Sequence, residues 1–185
     1  LYNPSGASLA YPRDLNINDL FFKYGIRINP DIVKDEQGSP IQLASGEPGS
    51  ATRFQQFNWK YAPLVTPISK HPIVKNLGGI KFDFANSIDT LKNSIKKTVL
   101  LQSSTYSKRV GTPTAINLSM VSETTSPADY PNTGGIPLAV LLEGSFHSAF
   151  ENRIKAFEQT NFQSTSKPTK MIVISDGDIL RNQLD

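Results

Sequence analysis

The chain contains no cysteine, only two histidines and a single tryptophan in 185 residues. Without cysteine there is no disulfide, no thiol nucleophile and no thiolate metal site, and both cytoplasm and periplasm stay open. The two histidines, His71 and His147, would need carboxylate help to hold a metal, and no H-x-x-x-H spacing occurs. No stretch approaches the ~20 consecutive apolar residues of a membrane span. Neither G-x-x-x-x-G-K-[ST] nor G-x-G-x-x-G is present, which excludes the phosphate-cradling loop of an ATP-hydrolysing subunit. The opening Leu1-Tyr2-Asn3-Pro4 lacks an initiator methionine and the basic-then-apolar order of a signal peptide. The sequence therefore reads as a piece of a larger protein.

Charge is also sparse, at 19% of residues with a net +3, beside 38% hydrophobic residues. That balance fits a globular chain long enough for one domain with its own core. Basic residues gather only at Lys92, Lys96 and Lys97, with Lys108 and Arg109 further on. Lys92 and Lys96 are one helical turn apart, so a solvated face is the ordinary reading and no nucleic-acid partner is expected.

What the chain does have is short apolar runs bounded by turn residues. Residues 1–13 are rich in Gly, Ser and Pro and are expected to form an extended lead-in to a single domain over 14–185. A short helix follows, capped by Asn16 or Asn18, striped by Leu20, Phe21 and Tyr24, and ended by Gly25. Ile26–Asn29 and Pro30–Lys34 read as extended, turning at 35–39 into a hairpin-like return through Ile41–Leu43. Residues 45–52 and 122–134 are loops by composition, expected to be mobile because they lack apolar side chains to bury. Phe54–Ser69 is a long strand interrupted by Pro63 and Pro67, which restrict it to an edge or to irregular backbone. His71–Leu77 reads as one helical turn with proline at its first position. Ile80–Phe84 and Ala115–Val121 alternate as half-buried strands. Lys97–Gln102, Ile136–Gly144 and Lys170–Ile174 are continuously apolar, and residues 148–159 carry Phe150, Ile154 and Phe157 at helical spacing. Continuous apolar strands need cover on both faces. The expected fold is therefore α/β, with a mostly parallel sheet, short helices and antiparallel additions.

Three places invite a functional reading. Ser145 and His147 follow a core strand, but G-x-S-x-G is absent and residues two apart in extended chain point the same way, so surface polarity is the better account. Asp176 and Asp178, with Arg181 and Asn182 beyond them, sit at the carboxyl end of the last apolar strand, where open α/β sheets place ligands. They are candidates for a ligand or turn site, and such aspartates more often accept free backbone N–H groups than do chemistry. Phe57, Trp59 and Tyr61 fall on one side of the proline-broken strand and are a candidate partner surface. The commoner outcome for such large rings is burial in the domain's own core.

Four segments, in order, carry a family resemblance: Tyr11–Asn29, His71–Leu77, Leu141–Phe146, and Ser175–Asp178 with Arg181-Asn182. Together they resemble the extracytoplasmic region of the GldG family, the gliding-motility-associated ABC transporter auxiliary proteins of Bacteroidetes. The resemblance implies a soluble region at the periplasmic face of the inner membrane, anchored through segments absent from this chain, beside permease and ATPase subunits. It also implies a sheet like that of class I glutamine amidotransferases, a flavodoxin-like arrangement truncated here. Those enzymes use a cysteine nucleophile, which this chain lacks, so their activity does not carry over. The expectation is a non-catalytic binding or scaffold module with no metal and no cofactor. The alternative is a hydrolase acting on periplasmic glycans through Asp176, Asp178 or Glu143.

Overall fold

The computed structural model describes residues 6–45, 53–130, 134–153 and 161–181. Strands dominate: β1 (Ala7–Ala10), β2 (Ile26–Ile28), β3 (Asp31–Asp35), β4 (Gly38–Ser45), β5 (Arg53–Val65), β6 (Ile80–Lys81), β7 (Ile88–Thr90), β8 (Lys96–Gln102), β9 (Ser107–Gly111), β10 (Thr114–Asn117), β11 (Pro137–Gly144) and β12 (Thr169–Ile174). Among the described residues one α-helix, α1 (Asn18–Tyr24), follows β1. The strands form small sheets: β1–β10, β12–β11–β8, β2–β7, β3–β9 and β4–β5–β6.

Every one of these pairings is antiparallel, which overturns the expected mostly parallel, flavodoxin-like sheet. The reason lies in what a continuous apolar run reports. Leu138, Ala139 and Leu141 of β11 join one core cluster with Phe82, Val33 and Leu101, whereas Val140 and Leu142 join a second with Ile26, Ile88 and Phe146. β11 is thus covered on both faces while pairing antiparallel with β8 on one edge and β12 on the other. Apolar cover on two sides shapes the sequence in the same way whatever the strand direction.

The helix forms as its stripe predicts. Tyr24 is buried, Leu20 and Phe21 pack against the second cluster, and Gly25 ends the helix at φ 81° with its N–H returned to the carbonyls of Phe21 and Phe22. That left-handed stop is cheap only for glycine. The expected side-chain cap is absent: Ile17 occupies the capping position, and Asn16 sits before it at φ 55°, its N–H held by Asp14 Oδ1 at 2.8 Å.

The hairpin expected across 30–43 does not close on itself, because β3 pairs with β9 and β4 with β5. β5 runs through Pro63 instead of breaking there. Gly38 lies opposite Pro63 at a register shift, where an added Cβ would stand 2.2 Å from the Trp59 carbonyl oxygen. The missing proline N–H therefore falls at a bulge, which is where a ladder tolerates it. His71–Leu77 is a helical turn, with the Val74 and Lys75 N–H groups both 3.0 Å from the His71 carbonyl. β10 is shorter than the alternation suggests, since Leu118–Ser122 winds into a 3₁₀ turn. Residues 148–153 form turns instead of the start of an amphipathic helix, and 154–159 lie outside the described residues, as do 46–52. The lead-in is tied to the domain through β1, whose Ala7–Ala10 pairs with Thr114–Asn117.

Candidate functional site

The segment Phe82–Ser87 passes between β5 and β3 and changes partner as it goes. The Phe82 and Phe84 N–H groups donate to the carbonyls of Pro63 and Tyr61 on β5, both at 2.9 Å. From the next residue the bonds go to β3: the Val33 N–H donates to the Ala85 carbonyl, and the Ser87 N–H to Asp31 Oδ1. The switch falls at Phe84, which adopts φ 51°. A bulky side chain in the left-handed region is a genuine outlier and persists only where its surroundings over-determine it.

That backbone presents the Phe84 ring, 46% exposed, to a groove of about 650 Å³. One wall is the lead-in Ala10–Leu15, with exposed Tyr11 and Leu15. The other is Ile28–Pro30 with Ile32, and the start of α1 closes one end. Behind Phe84 the rings of Tyr61 (stacked, 6.4 Å between centroids) and Trp59 (edge-on, 6.4 Å) hold it in place. The volume and the mostly apolar lining with a few polar groups, Arg13, Asn29 and Asn86 among them, match the usual form of a binding cleft. The lining supplies neither a paired carboxylate dyad nor a nucleophile beside a base. Its chemistry is that of contact.

The aromatic candidates divide accordingly. Trp59 (7% exposed) and Tyr61 (4%) are buried in a third cluster with Ile32, Ala62 and Ile116. Both rings face inward, against Phe84 and the cluster. Phe57 is half-buried, and Phe54 at the start of the strand is exposed.

At the C-terminal turn Asp176 is buried and both its oxygens are engaged. Oδ2 accepts the Asp83 N–H and Oδ1 the Asp178 N–H, each at 2.8 Å. Asp178 points outward and pairs with Arg181 at 3.1 Å, both side chains well exposed. Asn182 lies outside the described residues. The two aspartates thus serve different surroundings and do not share one site. Glu143 lies elsewhere, bridged by Lys170 at 2.8 Å and Lys96 at 3.2 Å, and these two ammonium groups lower its pKa. His147 faces Glu151 at 3.2 Å and Thr165 at 3.2 Å.

Sequence reasoning missed a buried polar network that pins the segment 122–130 over β3 and β5. Lys60 Nζ, nearly buried, reaches Glu36 Oε1 (3.0 Å), the Glu123 carbonyl (3.0 Å) and Thr125 Oγ1 (2.9 Å). Lys34 pairs with the Glu123 carboxylate, and the Tyr130 hydroxyl donates to Glu36. Burial alone would raise the pKa of Glu36, but hydrogen bonds from Tyr130, Thr125 and Lys60 outweigh it and lower the pKa. Burial, and then Glu36 itself, raise that of Tyr130. The expectation that 122–134 has no apolar side chain to bury fails at Tyr130, which is 5% exposed. The clue was the spacing of charge in β3: Asp31, Lys34 and Asp35 share a five-residue strand with Ile32 and Val33, and all five are buried.

The described residues thus form small antiparallel sheets around an aromatic-floored groove. The chain belongs to a family of ABC transporter auxiliary proteins, described as "ABC-type uncharacterized transport system", whose sequence profile matches residues 1–185. No curated protein and no solved structure matches it. Among the described residues no helix is long and apolar enough to cross a membrane.

Proposed function

We propose that this chain is a non-catalytic, extracytoplasmic accessory module of an ABC transporter, and that it docks on a protein subunit of that transporter through the groove floored by Phe84. The observation that carries the reading is the Phe84 ring itself, held half-exposed in a strained backbone by two buried aromatic side chains. Strain of that kind clusters at binding sites, and a rigid aromatic anchor is the residue type that dominates protein interfaces. On this reading the partner is the permease at the periplasmic face of the inner membrane, with the ATPase on its far side. The four sequence segments resembling the gliding-motility family favour a transporter of that kind.

A glycan hydrolase draws no support from the same geometry. Asp176 has both oxygens committed to backbone N–H groups, and hydrogen bonds from Lys170 and Lys96 lower the pKa of Glu143, whereas a general acid needs it raised. The test is co-purification of the full-length protein with its cognate permease and ATPase, comparing wild type with Phe84→Ala and Tyr11→Ala. Loss of an anchor worth 2 kcal/mol or more, a typical hot-spot magnitude, weakens association about 30-fold. Unchanged association of a folded Phe84→Ala variant rejects the groove.

A further inference from the structure

We infer that two copies of this chain join edge to edge through β12, the strand of one copy pairing antiparallel with the same strand of the other. Among the described residues β12 ends its sheet, with β11 on one side only. The Ser175 N–H donates to the Leu138 carbonyl at 3.0 Å, which extends the β11–β12 register by one pair. Antiparallel ladders alternate, so Met171, Val173 and Ser175 turn their backbone groups toward β11. Lys170, Ile172 and Ile174 turn theirs away from it. Among the described residues no backbone group meets that outward set.

Edge strands are normally blunted by charge, proline or a bulge. β12 has Pro168 and Lys170 at its start, but Met171-Ile172-Val173-Ile174 follows without a charge, and Ile172 is 45% exposed. An extended backbone is what such an edge takes, and the edge is complementary to itself. A two-fold axis at Ile172 sets that residue against its own copy and Lys170 against Ile174. Each outward N–H then faces an outward carbonyl, as the narrow pairs of an antiparallel ladder require. The same axis brings Lys167 opposite Gly177, beside the exposed Asp178–Arg181 pair. Two three-stranded sheets become one of six strands, and Ile172 leaves water.

The chain's lack of cysteine makes the test direct. In a narrow antiparallel pair opposed Cα atoms lie about 5.5 Å apart, inside the range a disulfide spans. Full-length protein carrying Ile172→Cys, oxidised in dilute solution, should convert to a covalent dimer. Phe22→Cys, on the exposed face of α1, should stay largely monomeric. In sedimentation, Ile172→Lys should halve the wild-type mass while its melting temperature stays in place. A wild type that sediments as a monomer overturns the inference. So does a dimer that survives Ile172→Lys, or cross-linking at position 172 no greater than at position 22. Tyr11→Ala, on the lead-in wall of the groove, should leave the mass unchanged, which separates this outcome from that of the transporter-binding test.

Discussion

Asp176→Asn is expected to lower the stability of this domain by about 2 kcal/mol, whereas Asp178→Asn should scarcely change it. The difference comes from what each carboxylate accepts. Asp176 is buried and takes two backbone N–H groups, from Asp83 and Asp178, at 2.8 Å each. An amide of the same shape keeps one acceptor and turns an N–H₂ group against the other donor. One charge-assisted hydrogen bond, worth about 1.5–3 kcal/mol, is lost, and a buried N–H is left without a partner. Asp178 gives up only an exposed pair with Arg181, a contact whose usual worth is at most about 1 kcal/mol. For a chain of this size each kcal/mol moves the melting temperature by about 2–4 °C, so Asp176→Asn should melt about 4–8 °C lower. Thermal unfolding followed by circular dichroism, run beside a screen for glycan hydrolysis, reads both possibilities at once. An unmoved midpoint for Asp176→Asn refutes the backbone-acceptor account, and a turnover abolished with the midpoint in place would restore the hydrolase.

Phe84→Gly should be at least as stable as Phe84→Ala, reversing the usual order of the two residues, because glycine accepts φ 51° without the strain of about 1 kcal/mol that alanine retains; paired urea titrations check this. Tyr130→Phe, which removes the hydroxyl bonded to Glu36, should cost about 1–2 kcal/mol at neutral pH in the same assay, and no loss would mean that the network does not hold the 122–130 segment. Burial alone would raise the pKa of Asp89, but hydrogen bonds from Arg27, Asn29 and Arg109 bring it down to about 2. A depressed carboxylate contributes stability above its unfolded pKa near 4, and that contribution fades as pH falls toward 2. After screening by solvent it is on the order of 1 kcal/mol. Asp89→Asn should therefore flatten the stability profile between pH 4 and 2, and an acid limb identical to wild type refutes the bridge.

Local chemistry determined a good deal of this protein without reference to the fold. Gly25 stops α1 because glycine alone takes that left-handed turn cheaply, and the stripe of Leu20, Phe21 and Tyr24 names the face it buries. The apolar runs at β8, β11 and β12 lie where sequence places them, since burial on both faces leaves a mark in composition. The backbone-acceptor role was expected of both aspartates, because a strand end leaves free N–H groups; Asp176 takes it, whereas the Asp178 carboxylate pairs with Arg181. Strand direction was not, because an apolar residue records that it is covered and not which way its neighbour runs. Tertiary structure alone decided that β11 would lie between two clusters with antiparallel partners on both edges. It also decided the groove. Phe84 looks like one more member of an alternating strand, and no residue type announces that its segment will leave β5 for β3 at that position. None of the charges Lys34, Lys60, Glu36 and Glu123 is singled out as interior by sequence. They become an interior network only when strands distant in sequence bring opposite charges within hydrogen-bonding distance, where pairing offsets the cost of leaving water.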